Sequence, residues 1–583
     1  MPVLDLRSRL RERLEGYHLR LAAAQADGVL ALLGLVTGIA AGLAIVAFRF
    51  LVTALQSDLA TGLPEATFEA LEPWLRFALP ATGGIVLGLI YSVLPVAART
   101  VGVIHVLERL HYHQGHMPWR NLLVQFFGGS LALASGQSLG RESPSIHLGA
   151  AVASLLGRRL MLPNNSLRTL VACGAAAAIA ASFNTPLAGV VFAMEVIMAE
   201  YTIAGFVPVI LAAVAATTIT RAVFGVGTAF LVPQLGLASL WELVYISLMG
   251  VIVGTAAAFF VRTIRRLGAN TAGLPVALQF ALAGASVGAL GVAVPEVLGL
   301  GYDTVDQTLA GQLGLATMAA IFAAKFGASA LCVAVRMPGG LIGPTVVLGS
   351  LAGGCFAILI ELLPGIASDP AMYAMLGMAA MMGAVLQAPL AALLALLEMT
   401  GNPLVILPAM LAVVTAALTS RIGFGQESVF TLMLRDAGLD YRHDPVSQGL
   451  RRVGVTAVMN RSFEHTGRML ARNAAYALLE RRPHWIIIDG DGERPLLMRA
   501  ADLARYCEAD SASDADIDLG AIPAERFEIK PVHLQATLHE AREIMSREGV
   551  DALYVRRQQA PMTFRTFGIL HRTDVEAGYA FRS

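Results

Sequence analysis

Gly140-Arg141-Glu142-Ser143-Pro144 and, further along, Gly339-Gly340-Leu341-Ile342-Gly343-Pro344 interrupt a chain that is otherwise apolar. A proline just inside a helix start leaves free backbone amides pointing outward, and in lipid such backbone survives only where protein buries it or where it lines a cavity. Two such starts at matching places imply an inverted repeat with an anion held near the middle of the membrane by helix-start amides. An ionisable side chain in this setting is costly unless paired or wet. Glu142, at a helix start whose amides attract negative charge, can stand in for a permeant anion and leave when protonated. Arg141 fits two uses equally, as part of the anion's surroundings or as half of a buried pair with Glu142 that fixes packing.

Composition sets the class. Of 583 residues 56% are hydrophobic and 14% charged, with mean hydropathy +0.65, far outside the range of soluble globular chains. The chain reads as an all-α polytopic membrane protein. Runs such as Val29 to Val46, Val207 to Thr218 and Leu407 to Leu418 carry almost no charge, while neighbouring runs barely reach the length needed to cross a bilayer. Short, tilted and re-entrant helices are therefore expected. The formal net charge of zero averages two unlike parts, because charges are sparse before about residue 435 and dense after it. Cys173, Cys332, Cys355 and Cys507 are scattered without metal-ligand spacing and read as core thiols. No nucleophile-base arrangement, metal cluster or Walker-type loop points to an enzyme, and no nucleic-acid partner is expected.

Arg7, Arg9, Arg11, Arg13 and Arg20 surround Leu6, Leu10 and Leu14, the pattern of an amphipathic helix over residues 1–25 on the cytoplasmic face. Residues 26–434 form the membrane domain. Its breaks fall at Thr61 to Glu72, Tyr112 to Met117, Leu162 to Ser166, Val232 to Ala238 and Leu362 to Pro370, and its small-residue runs imply close helix packing.

A linker over 435–450 leads to a soluble region, 451–583, in which two similar units follow each other, about 451–510 and 522–583. The first has a helix Gly467 to Arg481, a strand His484 to Ile488, a turn Asp489 to Gly492, a strand Pro495 to Met498 and a helix from Ala500. The second has a helix Thr537 to Glu548, strands Ala552 to Arg556 and Thr566 to Leu570, and a helix from Thr573. This α/β pair resembles tandem CBS domains. In that family a Gly-x-x-Thr/Ser-x-x-Asp turn holds an adenine nucleotide. Here the turn is degraded: Asp574 follows His571 in the hydroxyl position, and Asp502 follows Leu496 in place of glycine. Asp502 and Asp574 remain as nucleotide-binding candidates, with a structural or dimerising role favoured.

Phe126-Phe127-Gly128-Gly129, Gly140 to Pro144, Phe183-Asn184-Thr185-Pro186-Leu187-Ala188-Gly189, Pro338 to Pro344 and Glu398-Met399-Thr400-Gly401-Asn402 stand in the order of the CLC family of chloride channels and chloride/proton exchangers, which the chain resembles over most of its membrane domain. The resemblance implies the CLC fold in a cell membrane, multi-pass, with the N-terminus and CBS domains cytoplasmic. It also implies a homodimer in the lipid bilayer with one anion pathway per subunit and chloride as the ligand. Glu142 matches the gating glutamate, and Gly340 to Pro344 match the opposing helix start, whose Leu341 and Ile342 amides should face the anion.

The chain also departs from the family. The serine and tyrosine hydroxyls that complete the central chloride site are replaced by Val101, beside Gly102, and by Phe430. Central binding should be weak, since each lost hydrogen bond to the ion is worth roughly 1–3 kcal/mol. Glu195 matches a structural glutamate, and Val196 stands where exchangers carry a proton-relay carboxylate. Arg336 replaces a glycine near the second helix start. Lys325 and Glu398 read as structural. Together these favour a glutamate-gated chloride channel or weakly coupled transporter, with a chloride/proton antiporter as the alternative; a fluoride transporter and a non-transporting CBS sensor are weaker readings.

Overall fold

The structure is a computed structural model that describes residues 27–59, 68–201, 203–227, 230, 232, 236–237, 239–361, 369–439, 445–489, 495–509, 515–560 and 563–580. The expected N-terminal amphipathic helix and the turn after Asp489 lie outside these residues. The chain divides into two compact units, one of 30–158 and 168–441, the other built on 442–583 together with 159–167.

Among the described residues of the first unit, nine helices are long and apolar enough to cross a membrane, and shorter ones lie between them. Glycine and alanine let the helices approach closely: a Cβ added at Gly84 would meet the Cα of Gly284 at 3.1 Å, where Pro73–Val93 packs on Val276–Ala293. Between lipid-soluble helices such contact replaces the hydrophobic effect as the source of cohesion.

The inverted repeat is visible in matched local devices. In the first half, Glu142–Arg159 is followed by Asn164–Phe183, the short helix Pro186–Phe192 and a π-helical turn Ala193–Met198. In the second, Ile342–Ile360 is followed by Pro370–Leu386 and the short helix Pro389–Thr400. Asn184 (φ 60°) and Gln387 (φ 54°) adopt the left-handed region immediately before the two short helices. The start of each short helix is then capped by a glutamate of the other half. Glu195 accepts the N–H groups of Leu390 (3.3 Å) and Ala391 (2.8 Å), and Glu398 accepts those of Leu187 (3.0 Å) and Ala188 (2.8 Å). A carboxylate on orphan amides at the positive end of a helix satisfies both at once. Glu195 and Glu398 thus have the structural use read for them.

The second unit is an α/β domain. Its six-stranded sheet runs Phe463–Gly467, Trp485–Asp489, Leu496–Arg499, Arg526–His533, Ala552–Ala560, Thr563–His571. The first and fourth of these strands pair parallel with the next, and the remaining pairs are antiparallel. Helices Arg472–Glu480, Ala500–Ala509, Leu538–Glu548 and Arg572–Ala580 complete two similar halves. The helix expected from Gly467 begins only at Arg472, because Phe463–Gly467 and Met469–Leu470 are strands. The first of these is mostly polar and borrows its apolar partner, Trp485-Ile486-Ile487-Ile488, from the neighbouring strand. Arg526–His533 is also a strand, unforeseen because Lys530 and Pro531 interrupt its apolar alternation. Within the expected linker, Pro445–Arg451 is helical, and Leu450 joins the core of the second half-domain. The segment 159–167 belongs to this unit through Asn164, whose side-chain amide donates to Glu540 (3.0 Å) and whose N–H donates to the Gln535 carbonyl (3.1 Å).

Candidate anion site

The loops before the two key helices meet. Gly140 and Gly340 form an isolated antiparallel bridge, with the Gly140 N–H donating to the Gly340 carbonyl at 2.7 Å. The helices Glu142–Arg159 and Ile342–Ile360 therefore begin side by side with their amide ends converging. Glycine is required here by space: a Cβ at Gly140 would collide with the Glu142 carboxylate, and one at Gly340 would lie 2.9 Å from the Ser143 Cβ.

Glu142 is fully buried. Its Oε2 accepts the Gly343 N–H at 3.1 Å, and its Oε1 accepts the hydroxyl of Tyr302. The donors on this carboxylate, a backbone amide at a helix start and a phenolic hydroxyl, are of the kind that can hold a small anion, and among the described residues no full cationic charge is bonded to it. Arg141, beside it in sequence, turns elsewhere. Its guanidinium donates to the Ser182 carbonyl at 3.0 Å and lies 5.6 Å from the centre of the Tyr302 ring. Arg141 therefore forms no ion pair with Glu142, and it props the ring of the residue that holds Glu142.

Gly340, Leu341 and Ile342 are all buried at the second helix start, with Leu341 as the N-cap, but the amide bonded to the carboxylate belongs to Gly343, one residue further on. Val101 is the N-cap of Gly102–Tyr112, and Phe430, buried, is the second residue of Val429–Asp436; these two short helices pack together. Val196 lies in the π-helical turn beside the capping Glu195. Arg336 adopts φ 59° and is exposed on the rim of a cleft of about 810 Å³ shared with Arg262, Arg265 and Arg266.

Tyr302 was not legible as a site residue, and Gly343 lay within the expected second helix start without being singled out as the donor. Tyr302 opens the helix Tyr302–Leu309 after Gly301, which is left-handed at φ 76°, and its ring packs edge-on to Phe230 at 5.9 Å. Lys325 explains how that helix start is held. Fully buried, it donates to the carbonyls of Val297 (3.1 Å) and Gly299 (2.8 Å), fastening the loop that leads into Tyr302. A signal existed in the sequence, a tyrosine after Gly299-Leu300-Gly301 with a lone lysine in an apolar helix, but nothing in the spacing connected them to Glu142.

In the second unit the two nucleotide candidates are engaged locally. Asp574 accepts the His571 N–H at 2.9 Å, capping its own helix, and Asp502 pairs with Arg505. The His571 ring stacks on Trp485 with centroids 5.8 Å apart.

Two facing helix starts around a buried carboxylate, inside a repeat of membrane helices, define a polytopic membrane protein whose halves meet at a cluster of hydrogen-bond donors. The chain belongs to the voltage gated chloride channel family, the CLC proteins, whose family model matches residues 83–421. A ClcB-like chloride channel protein of Ralstonia nicotianae is 36% identical over 416 residues, covering 70% of this chain and 96% of that one. The H(+)/Cl(-) exchange transporter ClcA of Vibrio cholerae is 31% identical over 333 residues, covering 54% and 70%. In fold, the chain matches a slow cyanobacterial Cl-/H+ antiporter (TM-score 0.63, 24% identity, 70% of this chain and 97% of the other). It also matches a eukaryotic CLC transporter (TM-score 0.62, 18% identity, 94% and 97%).

Proposed function

We propose that this protein moves chloride across a membrane through one pathway per subunit of a homodimer, with Glu142 as the gate. The observation that carries the reading is the Glu142 carboxylate on the Gly343 amide. Chloride and a carboxylate oxygen compete for the same donors, so protonation of Glu142 releases the amide to the ion. Val101 and Phe430 offer no hydroxyl, and Val196 cannot carry a proton. Those three residues favour a channel or a weakly coupled transporter.

Coupled exchange is the second reading, favoured by the ClcA relative, an exchange transporter by name. The reversal potential of purified protein in a pH gradient separates the two. A channel reverses at the chloride equilibrium potential; a shift toward a proton-coupled value overturns the channel reading. The C-terminal unit is read as a CBS pair on the cytoplasmic side with a structural or dimerising role, since Asp502 is engaged by Arg505 and Asp574 by the His571 N–H just before its helix. Equilibrium dialysis with labelled ATP tests this: saturable binding would contradict it.

A further inference from the structure

Two histidines are buried in the membrane unit, and the mechanism above uses neither. His105, on Gly102–Tyr112, and His147, on Glu142–Arg159, are both fully buried. His105 Nδ1 and His147 Nε2 are 2.8 Å apart, and Arg109 Nε lies 3.1 Å from His105 Nε2. The direction of every bond in this row follows from its first member. Arginine is a donor only, so His105 Nε2 accepts and carries no hydrogen. The His105 hydrogen is then on Nδ1, which donates to His147 Nε2. His147 Nε2 accepts in turn, so its hydrogen is on Nδ1. That last N–H is buried and has no partner among the described residues.

A buried donor left unmet is costly, so something outside the chain accepts from it. The row begins at a guanidinium, and each bond polarises the next, so the terminal N–H is a stronger donor than an isolated imidazole while the full charge stays at Arg109. His147 lies five residues into the helix that begins at Glu142, roughly 7.5 Å along its axis and about 140° around it, and its ring meets His105, four residues after Val101.

We infer that His147 Nδ1–H is a donor to a small monovalent anion, chloride in use, bound about one and a half helical turns along from Glu142. The inference rests on the chloride-pathway reading of the preceding subsection. Arg109 and His105 act as positioning residues that fix which nitrogen of His147 carries the hydrogen. Glu108 and His111 share the His105 helix with Arg109, and Glu108 lies 3.7 Å from His113, which follows the helix.

The test is anomalous diffraction from crystals of the full chain grown in bromide, with chloride titration calorimetry on the parent, His147→Leu and His147→Gln. The expected result is a bromide peak within hydrogen-bonding distance of Nδ1. His147→Leu should bind chloride about tenfold more weakly, and His147→Gln, which keeps an N–H donor, should recover part of that loss. A peak at Nδ1 with no anomalous signal, or equal chloride affinity in parent and His147→Leu, would overturn it by identifying the acceptor as water. If His147→Leu does not fold, the bromide map of the parent decides alone. Chloride efflux from liposomes keeps the two readings apart: no efflux from the parent sinks the pathway, whereas efflux without a halide at Nδ1 sinks only the His147 site.

Discussion

The Gly343 N–H donates to the Glu142 carboxylate at 3.1 Å, joining two helix starts that are 201 residues apart in sequence. The bond makes each half of the repeat the ligand of the other. It also explains why both loops are glycine-rich: the carboxylate, the Gly140–Gly340 bridge and the two helix starts share a volume that leaves no room for Cβ atoms at Gly140 or Gly340.

Tyr302→Phe removes the hydroxyl that donates to Glu142 and leaves the ring on Phe230 and Arg141. A hydrogen bond to a charged group is worth about 1.5–3 kcal/mol, and losing it favours the protonated, released carboxylate. Half-activation of chloride flux should move to higher pH. Flux measured in liposomes across a pH series checks this; an unmoved profile would show that the hydroxyl does not hold the gate.

Gly140→Ala needs no unusual backbone, so it tests space alone. The added methyl collides with the Glu142 carboxylate and comes within 2.9 Å of the Gly343 backbone nitrogen, so it should separate the carboxylate from the Gly343 amide. The expected outcome is chloride flux with a flattened pH dependence in protein that still elutes as a folded species on size-exclusion chromatography.

Glu195→Gln and Glu398→Gln should each lower thermal stability by a similar amount. Each carboxylate caps two amides of the other half in matching geometry, and replacing a charge-assisted pair by neutral bonds costs about 1–3 kcal/mol. Thermal unfolding followed by tryptophan fluorescence in detergent provides the comparison. A large loss in one variant and none in the other would break the symmetry argument.

Val196→Glu puts a carboxylate beside the capping Glu195, in the π-helical turn Ala193–Met198. If the missing proton group is what limits coupling, this variant should move protons against a chloride gradient where the parent moves few or none. Proton uptake recorded with a pH electrode during chloride efflux is the readout.

Much of this was legible in the sequence because membrane helices leave strong signals: long apolar runs, glycine–proline breaks, and isolated charges. Glu142 and the second helix start could be picked out on those grounds; the structural use of Glu195 came from its match to the family pattern, beside the structural reading of Glu398 and Lys325. Tyr302 could not, because its role depends on Lys325 holding a loop through two backbone carbonyls, a tertiary fact with no periodicity. The choice of Gly343 over Leu341 and Ile342 depends on how far the helix start is advanced, and a single residue of register is invisible in composition. In the C-terminal unit the strands Phe463–Gly467 and Arg526–His533 were hidden because their apolar partners lie on neighbouring strands.

The most direct test is chloride flux of Glu142→Gln in liposomes across pH. Glutamine keeps the size of the side chain but cannot be a carboxylate, so the gate should lie permanently in its protonated-like state, with flux equal to or above the parent's and independent of pH. Retention of the parent's pH dependence in Glu142→Gln would contradict the assignment of Glu142 as the gate.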